Sequence, residues 1–283
     1  MKRFHVDHTW YEMPSSWNEV PADKVLPALL IIYSQGQTPA GRLKVLALLN
    51  PLPAKTYKKL VASQVNELCR LLDWCFETPL ESKPFDSFEH AGVVYFLPPE
   101  QLQTVTYSEY LTALTYLYHF YYDPEERTAY LTRLIATLCR PGVPGQDPLS
   151  VDFTGDYREK FNEHVVEHRA RLFLNLDAGI AAGVLQYFTS QLRWLYETYQ
   201  VFDKPESESE DSANAPAGFD WVEQLLALRN LSYQVADAKL IGNVREVGEA
   251  EVNLVFETLE HMKEKQETTP TPAANEPEEE PEN

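Results

Sequence analysis

The chain has 283 residues, a hydrophobic share of 44% and a formal net charge of −19. That length allows one or two domains with a real core, and the acidity repels phosphate backbones and anionic bilayers, which argues against nucleic-acid and membrane partners. Cys69, Cys75 and Cys139 show no CxxC spacing and are expected as reduced thiols of a cytoplasmic protein.

The opening MKRFHVDHTW has no apolar stretch of the signal-peptide kind, and the longest clean apolar run, Ala28–Tyr33, is far too short to span a bilayer. Phe4 to Met13 is expected as two short strands closed near Asp7–Thr9. Ser16-x-x-Glu19 has capping-box spacing and predicts a helix from about Val20 to Ser34, interrupted by Pro27 and stopped by Gly36. Thr38-Pro39 opens the next helix in N-cap and first-turn order, and Asn50-Pro51-Leu52-Pro53 ends it.

A long helix is expected over 54–77, with Leu60, Val61, Val65, Leu68, Leu71, Leu72 and Cys75 at helical spacing. Phe85–Phe88 and Val93–Leu97, joined through His90-Ala91-Gly92, read as a second hairpin. Thr106-x-x-Glu109 caps a helix to Tyr122, and another follows over 124–139. After a proline-containing loop, Asp156-x-x-Glu159 predicts a helix to about 176, followed by one over 178–200. The fold class is therefore mainly α (α+β): a helical bundle-like body over 1–202 with two short hairpins in its N-terminal half.

Composition then changes abruptly. Residues 203–218 hold five acids and one lysine and are expected as an acidic flexible linker. Residues 219–265 form a small helical module, opened by Asp220-x-x-Glu223 and closed by a helix over 249–264. Residues 266–283 hold six glutamates and no basic residue, and are expected as a disordered acidic tail. In the module, Trp221, Leu225, Leu228, Val252, Val255, Phe256 and Leu259 are the candidate partner-binding side chains, because two helices alone bury too little to be stable.

His164-Val165-Val166-Glu167-His168 fits H-x-x-E-H, in which both histidines ligate zinc and the glutamate is the general base. The flanks are charged and no third ligand stands out. The simpler expectation is an amphipathic helix with a buried stripe of Phe161, Val165, His168, Leu172 and Leu176. His5 and His8 lie three apart in a strand-like segment and point to opposite faces. Tyr107, Tyr110, Tyr116, Tyr118, Phe120, Tyr121 and Tyr122 crowd one helix around His119, expected as burial between layers, with an apolar contact surface as the functional reading. Around Arg158, the run Gly155-Asp156-Tyr157-Arg158-Glu159 is expected as an N-cap with a local ion pair. Phosphate-binding loops and a G-x-S-x-G elbow are absent.

Three stretches, taken in order, resemble a known group. They are Tyr11-Glu12-Met13-Pro14-Ser15-Ser16-Trp17-Asn18-Glu19-Val20; then Leu134–Arg140 followed by Gly155-Asp156-Tyr157-Arg158-Glu159-Lys160-Phe161; then Phe219-Asp220-Trp221 with Leu225–Leu228 and Glu251–Leu259. This layout resembles proteins encoded among tail genes of bacterial phages and prophages, some of them similar to tail assembly chaperones that hold the tape-measure protein. The resemblance implies no catalytic residues and no cofactor, protein partners of the tail or tape-measure kind, and a place in the bacterial cytoplasm or the phage particle. The leading expectation is a non-enzymatic assembly factor. The alternatives are a zinc-dependent hydrolase using His164, Glu167 and His168, and a structural adaptor in a larger assembly.

Overall fold

The computed structural model describes residues 1–78, 80, 82–151, 153–199 and 221–268, with backbone alone at 221–224 and 266–268. The linker 203–218, Asp220 and the tail from 269 onward lie outside the described residues. The fold is mainly helical, with two small antiparallel sheets. Among the described residues no helix is long and apolar enough to cross a membrane.

The first half builds one core. Strands β1 (Lys2–Val6) and β2 (Thr9–Met13) form the expected hairpin, with Asp7 and His8 both at positive φ in a tight two-residue turn. Helix α1 (Ala22–Gln35) starts later than Ser16-x-x-Glu19 suggested. Ser16 caps nothing, and Glu19 instead accepts from the Ser15 amide and hydroxyl, leaving a short 3-10 turn over Trp17–Glu19. Pro27 lies inside α1, and Gly36 follows it at positive φ. Helix α2 (Pro39–Leu49) is capped by the Thr38 hydroxyl, which accepts from the Gly41 amide.

The long helix expected over 54–77 is three pieces: α3 (Ala54–Tyr57), α4 (Ala62–Leu71) and α5 (Trp74–Glu77). Periodicity alone could not show the breaks, because tertiary contacts make them. The turn at Leu72–Asp73 swings Trp74 so that its Nε1 donates to the Pro14 carbonyl at 3.0 Å and its ring meets Trp17 edge-on. Asp73 at the bend also pairs with Arg42 of α2.

The second half builds a larger core. Strands β3 (Ser87–His90) and β4 (Val93–Phe96) pair through the turn at Ala91-Gly92, and β5 (Arg140–Pro141), which sequence reasoning missed, adds to β4. Helices α6 (Tyr107–Tyr122) and α7 (Arg127–Leu138) pack as an antiparallel pair beside α8 (Glu163–Leu172) and α9 (Ala178–Thr198). The 21-residue α9 joins the two cores, because Gly179 and Gly183 let α1 approach it closely. A Cβ at Gly183 would stand 2.8 Å from Leu26 Cδ2 and 2.9 Å from Phe85 Cε1.

The C-terminal segment is three helices rather than two: α10 (Trp221–Asp237), α11 (Val244–Glu249) and α12 (Val252–Thr268). The missed α11 carries a capping box, Asn243 with Glu246. Helix α12 continues three residues into the expected tail. These helices share the core of α6–α9. A short backbone ladder fixes them: the Tyr107 amide donates to Ala250 O and the Val252 amide to Val105 O, each at 2.8 Å. Tyr107 also donates its hydroxyl to Leu228 O at 2.6 Å.

Candidate protein-contact surface

The residues nominated for partner binding are largely covered by the chain itself. Leu228, Val252, Val255, Phe256 and Leu259 are buried against α6 and α9, with Phe256 edge-on to both Tyr107 and Tyr110. Leu225 is half-buried at the margin of the same core, and the Trp221 side chain lies outside the described residues. The partner expected for these helices is in large part the chain itself, which completes their core through α6 and α9.

Helix α8 begins at Glu163 under the Asn162 cap, not at Asp156, because Asp156 is drawn away to Arg158. The face the helix buries also differs from the expected stripe. The buried positions are Val166, Arg169, Ala170 and Phe173, while Val165 and Leu172 are exposed. His164 and His168 face solvent, and Glu167 is turned to Arg133, whose Nε donates to it at 2.8 Å. The Arg133 hydrogen bond, helped by the Arg133 and Arg171 charges, holds the Glu167 carboxyl below its usual range against the opposing effect of burial. Among the described residues, no group of three or more His, Cys, Asp or Glu side chains is arranged to hold a metal ion.

The densest electrostatic feature lies at the C-terminus of α7, where the last carbonyls of a helix need partners. Arg169 donates to Ala136 O at 2.7 Å, Arg140 to Thr137 O at 3.3 Å and Arg158 to Leu138 O at 2.8 Å. The Cys139 amide takes Ile135 O. Behind these guanidiniums, Glu109 accepts from Arg140 at 2.7 Å and Arg158 at 2.8 Å, although its own place at the start of α6 suggested a capping role. Asp156 pairs with Arg158 at 2.7 Å, as the local ion pair predicted, and Glu159 pairs with Arg169. Burial works against the Asp156 charge, but the Arg158 hydrogen bond and charge outweigh it and hold the carboxyl low. Burial also opposes the Arg158 charge, and Glu109 and Asp156 overcome that opposition. Three arginines thus face three carboxylates, with Glu109 Oε1 shared by two of them, Glu109 Oε2 left without a hydrogen-bond partner and Glu159 at the solvent edge, so the cluster acts as a lock on the fold. Cys139, packed among these arginines, is pushed up to about 12 by burial in spite of them.

The tyrosine-rich α6 runs from interior to surface. Tyr107 and Tyr110 are buried in the core, as expected of a helix between layers. At the other end Tyr121 and Tyr122 are 45% and 56% exposed, and Tyr118 stacks on Tyr122 at 4.8 Å. Tyr121 and Tyr122, with Leu117 below them and Leu192 and Tyr196 of α9, form an open apolar trough of about 550 Å³. On α9, Arg193 and Glu197 make a hydrogen-bonded ridge at 2.6 Å along the rim. Beyond the ridge lies a second trough of about 530 Å³ lined by Glu77, Glu100, Gln101 and Trp194. Sequence reasoning named the tyrosines of this surface but missed Leu192, Tyr196 and the acidic side. The exposed Arg193–Glu197 spacing next to Leu192 and Tyr196 was the available signal. Comparison of the chain with protein-family models, with curated proteins and with solved structures returns no match.

Proposed function

We propose that this protein acts without catalysis, holding another protein as an assembly factor of the tail-chaperone kind. The observation that carries the reading is the aromatic trough between the end of α6 and the end of α9, where two large tyrosines stand exposed beside buried leucines. Tyrosines of this kind are enriched at the centres of protein interfaces, because they cover large areas with few rotamers to immobilise. The charged groups support the same reading: the buried arginines and carboxylates at the end of α7 pair with one another, and the exposed H-x-x-E-H glutamate is held by Arg133.

The test is co-expression with the products of neighbouring genes, a tape-measure protein among them, followed by size-exclusion chromatography. A stable complex that Tyr121→Ser with Tyr122→Ser weakens at least tenfold is the expected result. Absence of any complex, or a complex indifferent to these changes, overturns the proposal.

A further inference from the structure

We infer that the surface along the last two turns of α9 takes a basic amphipathic helix of a partner protein. The inference rests on the protein-contact reading above and adds the chemistry of the partner. The two troughs lie on either side of one ridge, the Arg193–Glu197 pair, and differ in kind. On the apolar side Leu117 and Leu192 form a buried floor, and Tyr121 and Tyr122 form exposed walls. On the other side Glu77 and Glu100 line the trough and are exposed. Glu197 adds a third carboxylate, and Arg193 is the one cation among the described residues lining this side, so it is negative.

A helix is about 10 Å across with its side chains and can lie along such a ridge, placing apolar residues at i, i+4 and i+7 on one side and lysines or arginines on the other. The ridge from Thr189 to Glu197 is roughly 12 Å long at 1.5 Å per residue, enough to engage two to three turns of a partner. Charge decides between occupants. A second copy of a chain with net charge −19 would bring like charge to the acidic trough. The chain's own Asp203–Asp211 stretch, with five acids and one lysine, would do the same. Nucleic acid and anionic bilayers are repelled for the same reason. A basic helix is attracted by the negative trough and buries its apolar face in the tyrosine trough.

The probe is a fluorescein-labelled 18-residue helical peptide of leucine and lysine with its leucines on one face, titrated into the full chain and read by anisotropy. Controls are the same peptide with glutamate for lysine, and a scrambled peptide of equal charge without an apolar face. The leucine–lysine peptide is expected to bind at least tenfold more tightly than either control. Glu77→Gln with Glu100→Gln should weaken it three- to tenfold, and Tyr121→Ser with Tyr122→Ser at least fivefold. Glu163→Gln with Glu257→Gln, which removes two exposed charges elsewhere, should leave it within twofold. If the paired glutamine variants are indistinguishable, the peptide is attracted by overall charge and the inference falls. It falls equally if the glutamate peptide binds as well, or if the full chain binds no peptide, including the case where light scattering shows a dimer closed through Tyr121. The Glu77/Glu100 variant keeps the core intact and so remains informative should the tyrosine variant misfold. A tail-protein complex that survives the Glu77/Glu100 change leaves the protein-contact reading standing and removes only the basic-helix inference.

Discussion

Glu109 has no exposed surface, and its Oε1 accepts from two guanidiniums that are themselves buried. Removing one partner of a buried charge pair leaves the other uncompensated, which costs about 3–5 kcal/mol. Glu109→Ala should therefore lower the urea midpoint sharply, more than a substitution at exposed Glu257. Asp156 gives the cluster a pH signature. Its carboxyl is held low in the folded state, so the stability it contributes is present above its unfolded value of about 4 and is lost as pH falls through the lower folded value. Asp156→Asn should then give a protein less stable at neutral pH whose stability changes less between about pH 5 and pH 2, measured by denaturation at stepped pH. The cysteines mark the same interior. Burial raises all three thiols, Cys75 and Cys139 to about 12, so at pH 8 the native chain should react with a thiol reagent far more slowly than the chain in guanidinium.

Among the elements, α8 and the α1–α9 contact respond most differently to small changes. The two histidines of α8 are exposed, so His164→Ala and His168→Ala should each shift stability by less than about 0.5 kcal/mol, and neither should change the zinc content of the purified protein. His168, expected in the buried stripe, stands exposed, and Arg169, one residue on, is buried instead. Gly183→Ala, by contrast, pushes a methyl into Leu26 and Phe85 and should cost about 1–3 kcal/mol, read as a lowered thermal midpoint with secondary structure unchanged at low temperature. These cases show which parts of the fold were readable in the chain. Local signals held where local chemistry decides the outcome: Thr38-Pro39, Thr106, and the turn at Ala91-Gly92. They failed where a distant partner competes for the same side chain. Asp156 and Glu19 have good capping spacing, yet Arg158 and Ser15 take them. Leu72–Asp73 carries no helix breaker, yet Trp74 must reach Pro14. Of the contact surface, the α6 aromatics were visible as a run of residues, whereas Glu77 and Glu100 come from separate elements that only the fold brings to α9.

At the scale of the whole molecule, the C-terminal helices decide how the chain can be divided. Val235, Val247, Val252, Val255 and Phe256 have no exposed surface and complete the core around Tyr107 and Tyr110. Burying each such side chain contributes on the order of 1.5–3 kcal/mol, so the set is comparable with the whole stability of an ordinary domain. Deleting residues 221–268 should therefore not leave a folded body. It should expose the α6 tyrosines and yield aggregated protein, or protein melting well below the intact chain. Cutting the connection is a different operation from removing the helices. With a specific protease site placed between Lys204 and Gly218, cleavage breaks one peptide bond and removes none of the described residues that build the core. The two pieces should co-elute at the size of the intact chain and separate only in denaturant, because the ladder of Tyr107 with Ala250 and Val252 with Val105 is still in place. Two pieces that part under native conditions, with the larger keeping its helical signal and a cooperative melt, would mean that the C-terminal helices form a detachable module after all. The first outcome keeps those helices packed on the start of α6, whose far end lines the trough toward α9.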